Sequence, residues 1–214
     1  DGSKYHGYED KYNIVGCYWP PHFVVLDGDN LEPLKIVSTR GYTYDTFEYH
    51  QEPRVAAIVS SHFTPEWVAN IKETGYVWLI DYSNIDKMSV TMIEAERYLH
   101  DGGWDGTHRY FMSAANMRDT MVIIDTKTRK RVARVEVGTK PHPGRGANFI
   151  DPEFGPVGST VHIGEGLVSI WGTDPEKHPK NAWKVVRSID LDAGAGSLFL
   201  KTHPNSRNLW VDFT

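Results

Sequence analysis

The segment KPHPGRGANF, residues 140–149, places a histidine between two prolines and an arginine between two glycines. Proline fixes its own φ and restricts the residue before it, so Pro141 and Pro143 leave His142 little freedom. The glycines on either side of Arg145 carry no Cβ, so a bulky planar group could approach the backbone closely. Taken alone, the pattern is most simply a surface turn with a solvated histidine and arginine. The alternative is a binding loop.

A second glycine-rich segment, YLHDGGWDGTHRYF (98–111), contributes His100, and His142 follows 42 residues later. Histidine exchanges protons near neutral pH, and Arg145 stays charged and presents a planar fork to carboxylates. Two histidines and an arginine together can bind and protonate an anion. The two segments therefore predict a flat, carboxylated cofactor that lies over the glycine backbone, with the histidines above its reactive face.

Other chemistries fit these segments less well. A histidine-only zinc site made from His100, His108 and His142 has no diagnostic spacing. The HD dipeptide at 100–101 also occurs in metal phosphohydrolases, but there it lies on a helix, and here glycines follow at once. GRGANF lacks the third glycine and the βαβ unit of a dinucleotide site, and the chain has no G-x-S-x-G nucleophile elbow.

The elements that must position these loops are short, apolar, strand-like runs that end in aspartate. They are HFVVLDG, YVWLIDY, MVIIDT, LWVDF and, more loosely, VSIWGTD. Their aspartates are spaced by 54, 44, 49 and 38 residues, and they are Asp27, Asp81, Asp125, Asp174 and Asp212. Most of these runs have further β-prone runs before and after them.

Several short strands per unit, repeated every ~40–50 residues, predict the blades of a β-propeller. A two-sheet β-sandwich with chance spacing is the alternative. The pattern predicts that VVLD, WLID and VIID are equivalent strands of successive antiparallel sheets of about four strands. Only TMIEAERYLH (91–100) suggests a short turn or helix. The chain contains between four and five units, so we expect part of a larger ring.

Composition limits the function classes. The chain has 214 residues with 40% hydrophobic and 24% charged residues and a net charge of −5, so no basic surface suggests nucleic acid. No apolar run approaches the ~20 residues that cross a bilayer. Cys17 is the only cysteine, which excludes internal disulfides and a C-x-x-C-H heme attachment within these residues.

Several long motifs together resemble the d1-heme domain of the cytochrome cd1 nitrite reductase family. They are GYEDKYNIVGCYWPPHFVVLDG, LHDGGWDGTHRYFMSAAN, PHPGRGANF and GSLFLKTHPNS. The resemblance runs nearly end to end and implies an eight-bladed propeller that holds a non-covalent heme d1, preceded by a domain with covalent heme c. Residues 1–214 would be the middle part of the propeller domain, about four and a half blades. The c-heme domain and the proximal histidine ligand of the d1 iron would lie outside the chain.

The resemblance also implies roles for individual residues. His100 and His142 match the distal pair that binds nitrite and donates protons, and Arg145 matches a partner of a macrocycle carboxylate. Tyr18 and Phe199 match positions that contact the ring, and no residue matches a metal ligand. The other histidines are interpreted as structural (His62, His162 and His203) or as solvated (His6, His22, His50 and His178).

The implied activity is dissimilatory reduction of nitrite to nitric oxide and water in the periplasm. The implied partners are nitrite and a small electron donor, such as a c-type cytochrome or a cupredoxin. We expect a homodimer at full length, no nucleic acid and no membrane, and we expect residues 1–214 alone to be inactive. Two alternatives remain open: a heme d1 biosynthesis or carrier propeller of related sequence, and a non-enzymatic propeller that serves as an interaction platform.

Overall fold

A computed structural model describes residues 1–192 and 196–214. In these residues antiparallel β-sheets account for nearly all regular structure, and the one helical element is a 3₁₀ turn, Ile85–Lys87. The prediction of an all-β chain is confirmed. The chain divides into two units, residues 1–99 and 100–214.

The first unit contains a three-stranded sheet, a short hairpin and a four-stranded sheet, all antiparallel. The strands are β1 (Tyr12–Cys17), β2 (His22–Asp27) and β3 (Pro33–Ser38); β4 (Gly41–Tyr42) and β5 (Tyr49–His50); and β6 (Val55–Ser60), β7 (Glu66–Ile71), β8 (Tyr76–Asp81) and β9 (Ser89–Glu94). Within each sheet, neighbouring strands follow one another in the sequence. This unit's core forms where apolar side chains of β1 and β2 pack against those of β6–β8, including Phe23 and Trp67.

The second unit contains two four-stranded sheets and a final strand pair. The strands are β10 (Leu99–Trp104), β11 (Tyr110–Ala115), β12 (Thr120–Asp125) and β13 (Lys130–Glu136); β14 (Ala147–Asp151), β15 (Gly155–Val161), β16 (Leu167–Gly172) and β17 (Val185–Asp190); and β18 (Leu200–Lys201) and β19 (Trp210–Val211). Trp171 of β16 is fully buried against Met112 and Ile123 of the preceding sheet. Leu200 and Val211 of the strand pair pack against the second four-stranded sheet in the same way.

The aspartate repeat has a local cause in the turns that follow the strands. Asp125, at the end of β12, accepts hydrogen bonds from the amides of Lys127 and Thr128, so its side chain caps the β12–β13 turn. The same kind of bond forms after the other early aspartates of the repeat, Asp27, Asp81 and Asp174. VVLD, WLID and VIID lie in β2, β8 and β12 of three different sheets, as the sequence predicts.

Residues 91–100 do not form a helix, and the alternative of a short turn is confirmed at residues 97–98. Residues 91–94 complete β9, and residues 99–100 begin β10. β9 pairs with β8 along its whole length, with Thr91 opposite Leu79 and Ile93 opposite Val77. The ladder hydrogen bonds and the burial of Ile93 outweigh the modest helical preference of Glu-Ala-Glu.

Candidate functional site

The two predicted histidines meet in the second unit. His100 is the second residue of β10, and His142 lies in the loop before β14. Their ring centroids are 5.0 Å apart, with the ring planes inclined at 50°. The side chain of His142 is 9% exposed and that of His100 is 22% exposed, so both rings are largely covered by protein and reach solvent only in part.

The backbone of the His142 loop is fastened to β15. The amide of His142 donates to the carbonyl of Val161 at 2.8 Å, and Pro141 forms an isolated antiparallel bridge with His162. A turn follows, in which the amide of Gly146 donates to the carbonyl of Pro143 at 2.7 Å. The stiffness that the prolines predict is thus matched by hydrogen bonds that set the position of His142 relative to the sheet.

Two glycines allow close packing around this turn. A Cβ on Gly103 of β10 would lie 2.2 Å from the carbonyl oxygen of Arg145, so the turn can approach the strand only because position 103 has no side chain. Gly144 has φ +59° and packs against the ring of Phe199, where a Cβ would lie 2.9 Å from the ring. Protein groups therefore fill the space beside both glycines, where the sequence pattern predicted a planar cofactor.

The ring of His142 is oriented by the segment before β18. Its Nδ1 lies 2.7 Å from the carbonyl oxygen of Leu198, which can only accept, so Nδ1 carries a hydrogen and donates. Phe199 contacts the same ring edge-on, with centroids 5.6 Å apart. Phe199 is 52% exposed, so part of this residue remains accessible to solvent.

Asp212 holds that segment in place. Its carboxylate accepts hydrogen bonds from the hydroxyl of Ser197 at 2.7 Å and from the amides of Leu198 and Phe199 at 2.9 and 2.8 Å. Burial alone would raise the pKa of Asp212, but these hydrogen bonds outweigh burial and lower the pKa. At neutral pH the carboxylate is charged and fixes the backbone that presents the Leu198 carbonyl.

Asp101 is a member of the site that the residue pattern did not identify. Its Oδ2 lies 3.3 Å from Nε2 of His142, and its Oδ1 lies 3.8 Å from Nε2 of His100. One ring nitrogen of each histidine and one carboxylate oxygen of Asp101 lie within 4.8 Å of one another. His108 is exposed in the turn after β10, so the cluster contains Asp101 and not the third histidine of the zinc alternative.

Arg145 extends from the turn toward β10. Its guanidinium donates a long hydrogen bond, 3.4 Å, to the carbonyl of Gly102, and no carboxylate of residues 1–192 or 196–214 forms an ion pair with it. The residue as a whole is exposed, yet enough protein surrounds the guanidinium that loss of hydration lowers its pKa, while the charge of Asp101 acts in the opposite direction. An arginine still stays charged at neutral pH, so this cation is available to an anionic ligand.

Comparisons with known proteins identify the family of this chain. The sequence profile of the cytochrome D1 heme domain matches residues 2–214. The chain belongs to the cytochrome D1 heme domain family. It is 52% identical over 217 residues to a protein from Stutzerimonas stutzeri named nitrite reductase, and the match covers 99% of this chain and 38% of that protein. The chain thus spans well under half the length of this relative.

A solved structure gives the fold of this D1 heme domain. Dihydro-heme d1 dehydrogenase NirN in complex with DHE is similar with a TM-score of 0.75 and 22% identity, over 94% of this chain and 40% of that one. Together with the repeated four-stranded sheets, this similarity confirms the β-propeller fold class. Among the described residues, three four-stranded sheets, one three-stranded sheet and the β18–β19 pair agree with the expected four to five units, and the β4–β5 pair is a separate short hairpin. The eight blades of a whole ring remain a prediction.

Tyr18 lies in the first unit of the D1 heme domain, in the turn after β1. Its ring meets that of Trp19 edge-on at 5.6 Å, and the guanidinium of Arg54 lies 5.2 Å from its centroid. Arg54 donates a hydrogen bond from Nε to Oε1 of Glu73 at 2.7 Å, which fixes the guanidinium beside Tyr18. The role of Tyr18 as a cofactor contact stays a prediction.

The remaining histidines divide between structural and surface positions. His162 is fully buried, and its Nδ1 donates to the carbonyl of Leu167 at 2.9 Å. Burial lowers the pKa of His162 against the opposing effects of that carbonyl and of Glu165, as expected for a structural histidine. The side chain of His178 is 39% exposed, and its Nδ1 lies 2.8 Å from Asp174. His62 and His203, interpreted as structural, are exposed, so that interpretation is corrected. In the described ranges, no helix is long and apolar enough to cross a bilayer.

Proposed function

We propose that the protein carrying this chain reduces nitrite to nitric oxide and water at a bound heme d1, with His100 and His142 as nitrite-binding proton donors. The observation that carries the proposal is the convergence of the two rings at 5.0 Å beside an arginine that has no carboxylate partner among the described residues. The 52% identity with a nitrite reductase supports it.

The side chains present fit a flat macrocycle with carboxylates. Arg145 would pair with a carboxylate through charge-assisted hydrogen bonds. The partly exposed Phe199 is proposed as one aromatic contact, and Tyr18 is proposed as a second. When bound, heme d1 supplies the iron that binds nitrite and the electron that nitrite receives. Its proximal ligand is proposed to lie outside residues 1–214, as is a covalent heme c.

The histidines supply what the reaction needs besides an electron. Conversion of nitrite to nitric oxide and water consumes one electron and two protons for each nitrite ion. The cluster provides two imidazoles, and protonated rings also attract the anion before the chemical step. His142 donates from Nε2, because Nδ1 is committed to the Leu198 carbonyl. A positioned acid of this kind contributes ~10²–10⁴-fold to the rate.

The biological setting belongs to the same proposal. We place the protein in the periplasm, with a small c-type cytochrome or cupredoxin as electron donor and a homodimer as the full-length assembly. The support is the family membership and the nitrite reductase relative.

The decisive experiment uses the complete protein purified with heme d1. Reduced protein is mixed with nitrite under anaerobic conditions, and nitric oxide and ammonium are measured together. We expect one nitric oxide for each nitrite consumed, and a large loss of rate in His100→Ala and His142→Ala. Ammonium as the product would overturn the proposal. Heme binding without any nitrite turnover would favour the biosynthesis or carrier alternative, and absence of heme binding would favour an interaction platform.

A further inference from the structure

The carboxylate of Asp101 lies between the two imidazoles. Its oxygens approach Nε2 of His142 at 3.3 Å and Nε2 of His100 at 3.8 Å. Because Nδ1 of His142 already donates to the Leu198 carbonyl, both nitrogens of this ring face acceptors. Only a ring with hydrogens on both nitrogens can donate to both. In a ring protonated on Nδ1 alone, the lone pair of Nε2 would point at a carboxylate.

Few other charged or titratable groups face His142. Its own loop contributes Arg145, whose charge acts on Asp101. The segment from residue 197 to 199 contributes a carbonyl and the Phe199 ring, neither of which titrates. Directly after β15, the ring of His162 contacts the Leu167 carbonyl and the Ser169 hydroxyl. Asp101 and its neighbour His100 are therefore the groups that act on Nε2.

We propose that Asp101 is a positioning residue of this site: it holds His142 with a hydrogen on Nε2 and aligns His100 beside it. Arg145 belongs to the same electrostatic cluster, because the charge of Asp101 acts on its guanidinium. The use of the Nε2 proton for nitrite reduction rests on the proposed function. The role of Asp101 in orienting and protonating the ring does not depend on the proposed function.

Substitution by asparagine separates charge from shape. Asp101→Asn preserves the size of the side chain but removes the negative charge, and its amide can donate to Nε2 of a neutral ring. Asp101→Glu retains the charge on a longer arm. Glu136→Gln is the matched control, since it changes a carboxylate to an amide at the exposed end of β13.

The first measurement does not depend on activity. The complete protein without heme is labelled with ¹⁵N-histidine, and the His142 resonances are identified by their loss in His142→Ala. We expect the pH at which this ring loses its second hydrogen to fall by about one unit in Asp101→Asn and to stay unchanged in Glu136→Gln. An unchanged His142 titration in Asp101→Asn would overturn the proposal.

The second measurement follows kcat for nitrite against pH in the heme-loaded protein. In Asp101→Asn the alkaline limb of the kcat profile should move to lower pH by about one unit. Activity that is lost at neutral pH should then return in acid. Asp101→Glu should restore part of the original profile. A uniform loss of kcat with an unchanged profile would mean that Asp101 only fills space, and the proposal would fail. If the unmodified protein does not turn over nitrite, the proposed function fails, and the ¹⁵N titration still decides the role of Asp101.

Discussion

The carbonyl oxygen of Leu198 lies 2.7 Å from Nδ1 of His142, although 56 residues separate the two in the sequence. This contact fixes the ring about its Cβ–Cγ bond and assigns Nδ1 to the protein, which leaves Nε2 to face Asp101 and the cluster. A histidine free in a surface turn would have neither constraint. This hydrogen bond therefore distinguishes a binding loop from a solvated surface turn, the two interpretations of KPHPGRGANF.

His142→Ala should reduce nitrite turnover by about 10²-fold or more, because a positioned proton donor is lost. Heme content should be retained, since Arg145 is untouched. Steady-state nitric oxide production and the heme spectrum check both expectations. His203→Ala is the control, because His203 is exposed in the same unit. Equal turnover in the two variants would contradict the proton-donor role of His142 and favour the interpretation as a surface turn.

Arg145→Ala should weaken heme retention by about tenfold or more, because a charge-assisted hydrogen bond to a carboxylate contributes roughly 1.5–3 kcal/mol. The measurement is the heme d1 remaining after dialysis, read from the absorption spectrum. Arg207→Ala removes an exposed arginine from the same unit and should have no effect. Full retention in Arg145→Ala would exclude this arginine as the partner of a cofactor carboxylate.

Gly103→Ala should displace the turn that carries Arg145, because its Cβ would lie 2.2 Å from the Arg145 carbonyl oxygen. Overpacking of this kind costs about 1–3 kcal/mol. We expect a lower unfolding temperature and weaker heme binding. Gly106→Ala is the matched control in the neighbouring turn, where a Cβ meets no atom within 4 Å. Similar behaviour of the two variants would contradict the close contact between β10 and the turn.

Asp125→Asn should destabilise the protein at neutral pH and much less in acid. Burial alone would raise the pKa of Asp125, but the bidentate hydrogen bonds from Arg109 and those of the turn lower it. A carboxylate with a lowered folded pKa stabilises above its unfolded value near 3.9, and this contribution is lost as the pH falls through the folded value. Thermal unfolding at pH 7 and below pH ~3 checks this sign. Asp29→Asn, at an exposed turn position, should show no such difference.

The sheets could be predicted from sequence because their signal is local. A short apolar run and its terminal aspartate identify β2, β8 and β12, and the aspartate accepts hydrogen bonds from amides two or three residues later. Residues 91–100 could not be assigned in this way, because the pairing of β9 with β8 decides their conformation.

The site could be predicted only in part for the same reason. His100, His142 and Arg145 stand out by residue type beside glycines, and the structure brings all three together around β10. Asp101 carries no such signal, since an aspartate after a histidine is common on any surface. The Leu198 carbonyl belongs to the backbone and gives no residue-type signal, and Asp212, which accepts from the Leu198 amide, follows β19, the partner strand of β18.

The reach of Asp212 has a consequence for how the protein is made. A ribosome releases β10 and the His142 loop first, and the carboxylate that pins Leu198 emerges some 70 residues after His142. Until then the contact between Nδ1 of His142 and the Leu198 carbonyl lacks the support of Asp212. The orientation of His142 is thus complete only after Asp212 has been synthesised, and a cofactor that depends on this orientation is expected to bind only from that point in translation onward.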